Sequence, residues 1–205
     1  MFKYTFKISV FGNYNTGKTA FMHYLQDNKY VNIYEPTIGV EFGTKIVELE
    51  GVGQIKITFW DCAGQERFHS VISNFFKDVT AGILFFDVTD KKSYDSILDW
   101  VNKFRDNNSL DVPLLLVGNK IDKKDRTVSK KDAYTLATDL DLIYIETSVK
   151  EGININRAIN LLVDSIYETK DTNPNLIEHE KTLLLHNDIK NTKHVSQTCH
   201  NCCIC

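Results

Sequence analysis

Eight residues, Gly12-Asn13-Tyr14-Asn15-Thr16-Gly17-Lys18-Thr19, follow directly on an apolar run at 6–11. They match the spacing G-x-x-x-x-G-K-[ST] in the strand-to-helix setting that a phosphate cradle requires. The two glycines let the backbone wrap closely, so that consecutive N–H groups turn inward toward phosphate oxygens. Lys18 adds a cation for the outer phosphates, and a helix starting near Thr19 offers its positive dipole end. The Thr19 hydroxyl is a suitable Mg²⁺ ligand. The chemistry expected of this stretch is nucleotide binding.

A second group, Asn119-Lys120-Ile121-Asp122, stands immediately behind another apolar run. Guanine offers donors at N1–H and its 2-amino group, which the Asp122 carboxylate can accept. Adenine presents an unprotonated N1 and no 2-amino group. A buried carboxylate facing an acceptor costs several kcal/mol, enough to reject adenine nucleotides by orders of magnitude. Asn119 can bond the other edge of the base, and the stem of Lys120 can lie over its face. Taken alone, N-K-x-D is more often an ordinary polar turn. Behind a phosphate loop, and with Glu146-Thr147-Ser148-Val149-Lys150 after a later strand, it reads as a guanine site.

Two further runs, Trp60-Asp61-Cys62-Ala63-Gly64-Gln65-Glu66-Arg67-Phe68 and Ile38-Gly39-Val40-Glu41-Phe42, bring in a resemblance. Over residues 7–170 the chain resembles a small GTPase of the Ras superfamily and, within it, the Rab family. The resemblance implies a single P-loop GTPase domain that binds GTP and GDP with Mg²⁺. It assigns Ser148 and the Val149 N–H to the guanine site with Lys150 beside it, and an aromatic contact with the base to Tyr30. Thr19, Thr37 and Asp61 take the metal, Asp61 acting through water, consistent with octahedral Mg²⁺ and its preference for hard oxygens. Thr37 and the Gly64 N–H are held inward by the γ-phosphate and released on hydrolysis, an order–disorder switch. Gln65 orients the attacking water. Such sites hydrolyse at about 10⁻⁴ per second alone, and an arginine from another protein adds about 10³- to 10⁵-fold.

By the same resemblance, effectors read the GTP state at Tyr34, Glu35, Pro36, Thr37, Ile38, Gly39, Val40, Glu41 and Phe42, with Phe42, Trp60 and Phe75 forming an aromatic triad. Other expected partners are an exchange factor, a GTPase-activating protein and an escort or dissociation inhibitor that solubilises the lipidated form. The expected protein is a monomeric regulator of vesicle trafficking on the cytoplasmic face of an endomembrane or the plasma membrane, with a cytosolic pool. Two positions depart from the family pattern of small residues: Tyr14 and Asn15. Asn15 tolerates left-handed geometry, but Tyr14 is bulky beside the γ-phosphate. A hydrolysis-poor, GTP-locked scaffold is therefore an alternative reading. A P-loop kinase or ATPase is a third, against which Asp122 speaks.

Cysteine placement is lopsided. Cys62 stands alone, while Cys199, Cys202, Cys203 and Cys205 crowd the last seven residues, which is wrong for stapling a core. The domain reads as a cytosolic one without disulfides. The ending Cys202-Cys203-Ile204-Cys205 fits Cys-x-Cys double prenylation at Cys203 and Cys205 or a C-a-a-X box at Cys202, with Rab resemblance favouring the former. One lipid anchors only marginally and no basic block assists it, so two prenyl groups make physical sense. Cys199-His200-Asn201-Cys202 also has zinc-like spacing, but no second ligand pair accompanies it.

These residues need a scaffold. Strand-like runs at 6–11, 40–50, 54–60, 81–88, 112–118 and 142–146 alternate with helical spacing at 18–27, 91–107, 129–140 and 155–169. That order argues for an α/β fold, a six-stranded mostly parallel sheet with helices on both faces. The segments 40–50 and 54–60, separated by Gly51-Val52-Gly53, suggest an antiparallel hairpin. Continuous apolar runs at 81–88 and 112–118 suit strands buried on both faces. Residues 1–170 form the expected domain, and 171–205 a flexible tail of polar composition. With 205 residues, 42% of them hydrophobic, and a formal net charge of −3, the chain supports one substantial core and gives no electrostatic reason to expect nucleic acid. No apolar run reaches the roughly 18 residues of a transmembrane helix. Residues 1–10 lack a secretory h-region, and Phe2 stands where N-myristoylation needs glycine, so neither device is expected.

Overall fold

The computed structural model describes Phe2, residues 4–31, Thr37, 39–49, 53–64 and 73–172. A compact unit spans Met1–Thr169. Its strands are β1 (Tyr4–Gly12), β2 (Val40–Leu49), β3 (Gly53–Cys62), β4 (Ala81–Asp87), β5 (Leu114–Asn119) and β6 (Ile143–Glu146). Its helices are α1 (Lys18–Asp27), α2 (Lys91–Asp95), α3 (Ile97–Arg105), α4 (Lys130–Asp139) and α5 (Ile155–Thr172). The sheet order is β2-β3-β1-β4-β5-β6. β2 pairs antiparallel with β3, and every other pairing is parallel. The expected mostly parallel sheet is therefore present, with the hairpin at one edge.

Alternation along the strands feeds two cores. On one face Phe6, Ile8 and Val10 of β1 join Ile57 and Phe59 of β3 and pack against Phe21 and Leu25 of α1 and Ala158, Leu162 and Ile166 of α5. On the other, Phe11 meets Phe76, Trp100 and Phe104 at ring-centroid distances of 4.6, 5.9 and 5.3 Å. The central strands β4 and β5 are buried along their whole length, which is why they read as unbroken apolar runs. The helical spacing over 91–107 resolves into two helices meeting at Ser96, whose ψ of 0° departs from the helical value. The Ser96 hydroxyl donates to Ser93 O at 3.0 Å, a local side-chain bond that competes with regular helix. The hydrogen bonds from Ser96 N–H to Lys92 O and from Trp100 N–H to Ser96 O nevertheless continue across the junction.

The order in which the chain adds strands reverses at β1: β3 and β2 lie to one side of it and β4, β5 and β6 to the other. In such a sheet, ligands bind beyond the carboxyl ends at this switch point. The segment 12–19 leaves β1 there. Asp61, Asp87, Asn119 and Thr147 stand at or just after the carboxyl ends of β3, β4, β5 and β6. No helix among the described residues is long and apolar enough to cross a membrane.

Candidate nucleotide and magnesium site

Gly17 takes φ 97° and serves as the N-cap of α1 without a capping side chain. A Cβ at this position would lie 2.3 Å from Asn119 Nδ2, so only glycine fits the geometry and the close approach together. The first N–H groups of α1 are consequently left for a ligand. Lys18 is buried, and its ammonium donates to Gly12 O at 3.0 Å and Asn13 O at 2.9 Å. Burial lowers its pKa, with Asp61 opposing that shift. The Thr16 hydroxyl also donates to Asn13 O, at 2.9 Å. Asn15 adopts φ 60°, the left-handed geometry its residue type tolerates, and Tyr14 is 54% exposed.

Three oxygen donors from three segments converge beside this loop. The Thr19 hydroxyl lies 2.7 Å from that of Thr37 and donates to Asp61 Oδ2 at 2.6 Å. Neighbouring ligands of an octahedral Mg²⁺ with bonds of 2.0–2.1 Å stand about 2.9 Å apart, close to the Thr19–Thr37 spacing. Asp61 is only 1% exposed, and its Oδ1 is buried with no hydrogen-bond partner among the described residues. Burial pushes its pKa up to about 6, with Lys18 and the Thr19 hydroxyl pulling it back. A hard dication, held directly or through water, supplies what this carboxylate lacks, so the donor set fits Mg²⁺. Gly64 sits where a Cβ would come within 2.5 Å of Tyr14 N and 2.6 Å of Gly12 O. The second loop therefore touches the phosphate loop at its backbone.

The base side is tied together by side chains. Asn119, 2% exposed, donates from Nδ2 to Thr16 O at 2.9 Å. Its Oδ1 accepts from the Thr147 hydroxyl at 3.1 Å and from Val149 N–H at 3.3 Å. The Val149 N–H expected at the base is thus directed to Asn119 here, and one Asn119 amide hydrogen remains for a ligand. Ser148 donates its hydroxyl to Asp122 Oδ1 at 2.6 Å and accepts Glu151 N–H at 3.1 Å, which orients the carboxylate that would read guanine. Lys120 takes φ 68°; its ammonium meets Asn15 O at 2.5 Å and Asp87 Oδ2 at 2.8 Å. Lys150 is exposed and Tyr30 is half-buried, packed against the core beside α1.

Sequence reasoning missed several supporting residues. Burial alone would raise the Asp87 pKa, but hydrogen bonds from Lys120 and from the N–H and hydroxyl of Thr89 hold it below the usual carboxylate range. Its signal was available, a carboxylate ending an apolar strand. Arg126 grips Glu146 with two nitrogens at 2.8 and 3.1 Å, and Asn154 Nδ2 donates to Glu146 O at 2.8 Å; both brace the turn that carries Ser148. Nothing in the spacing announces these.

At the sheet edge, Phe42 and Trp60 stand 4.3 Å apart edge-to-face, and Trp60 and Phe75 5.4 Å apart. Phe42 is 62% exposed, so the three rings form a surface cluster. Val40, Glu41 and Gly39 lie beside it, with Ala63 N–H bonded to Gly39 O at 2.9 Å. Cys62 is fully buried, and burial pushes its thiol up to about 12. Gln65, Tyr34, Glu35, Pro36 and Ile38 lie outside the described residues, as do Cys203 and Cys205.

The family model of the Ras family matches residues 7–168. The chain belongs to the Ras family. Within it, the relatives are Rab proteins. The chain is 35% identical to Ras-related protein Rab-26 of Bos taurus over 90% of its own length and 71% of the relative's. To Ras-related protein Rab-13 of Mesocricetus auratus it is 36% identical, over 80% of this chain and 81% of that protein. To Ras-related protein Rab-39A of Mus musculus it is 33% identical, over 80% and 79%. This Rab-family small GTPase carries Tyr14 and Asn15 in its phosphate loop.

Proposed function

We propose that this Rab-family protein is a slow GTP-hydrolysing switch that acts in vesicle trafficking from the cytoplasmic face of a membrane. The observation that carries the reading is Asn119: its bond to Thr16 O, and those from Thr147 and Val149, join the phosphate loop and both base-side loops into one site. Asp122, oriented by Ser148, selects guanine. The loop N–H groups and Lys18 bind the phosphates. Thr19, Thr37 and Asp61 would hold Mg²⁺, which supplies charge neutralisation of the phosphates when bound. Thr37 and Gly64 follow the γ-phosphate, Gln65 orients the attacking water, and the exposed Phe42–Trp60–Phe75 cluster is read by effectors.

Residues 1–170 are the switch, and 171–205 the tail carrying prenyl groups on Cys203 and Cys205. An exchange factor, an activating protein and a solubilising escort complete the cycle. Titration of fluorescent GDP and ADP tests the base reading, with GDP expected to bind tighter by at least about 100-fold. Equal affinities would refute it. Mass spectrometry of the terminal peptide from eukaryotic cells tests the anchor, since an unmodified peptide rules it out.

One observation favours the GTP-locked variant of this reading. Tyr14 is exposed at the point where the phosphate loop abuts Gly64, the residue before Gln65. A ring there crowds the approach of a water or of an activator's arginine. Single-turnover GTP hydrolysis is expected to accelerate about tenfold or more in Tyr14→Ser, with or without an activating protein; equal rates dismiss the obstruction.

A further inference from the structure

We propose that Trp100 of α3 is a positioning residue for the phosphate loop, acting through Asn13 to set how fast bound guanine nucleotide leaves. This rests on the reading of 12–19 as a phosphate cradle.

Trp100 is 3% exposed and 87 residues distant in sequence, yet its indole Nε1–H donates to Asn13 Oδ1 at 2.7 Å. An indole N–H can only donate, so the bond fixes which end of the Asn13 amide faces α3. The Asn13 main-chain oxygen is held separately, by Lys18 Nζ and by the Thr16 hydroxyl, each at 2.9 Å. Side chain and carbonyl together clamp the peptide between Asn13 and Tyr14 from two sides. That same peptide is the surface against which Gly64 packs, with room for no Cβ. Its tilt governs both the N–H groups that meet phosphate and the seat of the loop that precedes Gln65.

Trp100 is itself wedged between the Phe11 ring at 5.9 Å and the Lys103 ammonium, 5.1 Å from the ring centroid. Its register follows α3, so packing of that helix is transmitted to the nucleotide site. Trp100 is not one of the residues assigned above to phosphate; its indole N–H reaches the loop through the Asn13 side chain.

Trp100→Phe keeps a buried ring and removes the donor, while Asn13→Leu keeps the size and removes the acceptor. Val101→Ala, a buried change in the same helix, controls for loss of packing. Release of fluorescent GDP from the full chain at fixed Mg²⁺ is expected to accelerate about 3- to 10-fold in Trp100→Phe and in Asn13→Leu, and no further in the double variant. Val101→Ala is expected to lower Tm without changing release. If Trp100→Phe merely lowers Tm like Val101→Ala, or if the two single effects multiply in the double variant, Trp100 is only core and the proposal fails. A wild-type chain that binds no guanine nucleotide overturns the underlying reading along with it.

Discussion

The two halves of the nucleotide site are built differently. At the base end, Asn119, Lys120, Asp122 and Ser148 each have protein partners at 2.5–3.3 Å, and the turn beneath them is braced by Arg126 and Glu146. At the phosphate end, the Lys18 cation is buried against main-chain oxygens and held below its ordinary pKa. Among the described residues, one buried oxygen of Asp61 has no partner, its pKa is raised, and the helix N-terminus has no side-chain cap. The base end is complete as protein. The phosphate end places a cation and a carboxylate where burial opposes their charge, and a polyphosphate with its dication balances both. On the proposed reading, selectivity is preformed and affinity comes from charges the ligand brings.

The largest effect expected from this contrast is on binding. Lys18→Met should weaken GDP about 100-fold in a fluorescence titration, since a bond from a buried cation to phosphate is among the strong ones. The preference for GDP over ADP should survive, and the Tm of the ligand-free protein should move little. A collapse in base preference would show that the halves are not separable.

Asn119→Ala should do the reverse. It removes partners from Thr16 O, the Thr147 hydroxyl and Val149 N–H, and is expected to cost the ligand-free protein about 2 kcal/mol in urea unfolding. A change confined to binding would contradict its role as a brace.

A smaller effect follows from Asp87. Its pKa lies below the ordinary 3.8, so the unfolded chain takes up this proton first as pH falls. The carboxylate stabilises the fold above that range, and the contribution disappears as pH drops through the lower folded value. Asp87→Asn should cost about 1–2 kcal/mol near neutrality. Its Tm should converge with that of the wild type below pH 4, whereas a constant gap down to pH 3 would remove the ion pair to Lys120 from the account.

The sequence made the contrast half visible. Phosphate-loop spacing placed Gly17 and Lys18, and the predicted helix over 18–27 coincides with α1, because a local motif and a helical stripe coincide there. The strands were legible where burial is two-sided, as in β4 and β5. The convergence of Thr19 and Asp61 spans 42 residues and that of Asn119 and Thr16 spans 103, so spacing could not reveal them and only resemblance suggested the first. Trp100 falls inside the helical spacing at 91–107, and a side chain serving both core and loop leaves no separate trace. The break at Ser96 was hidden for a related reason: the apolar period continues across it.

The central claim is that a preformed carboxylate at Asp122 reads the base. Asp122→Asn retains an oxygen for the Ser148 hydroxyl and for N1–H, but replaces an acceptor with an N–H donor. Guanine presents its 2-amino group at that place, whereas xanthine presents a carbonyl. Titrating this variant with fluorescent GDP and XDP tests the claim directly. A reversal in favour of XDP is the predicted result, and an undiminished preference for GDP would contradict it.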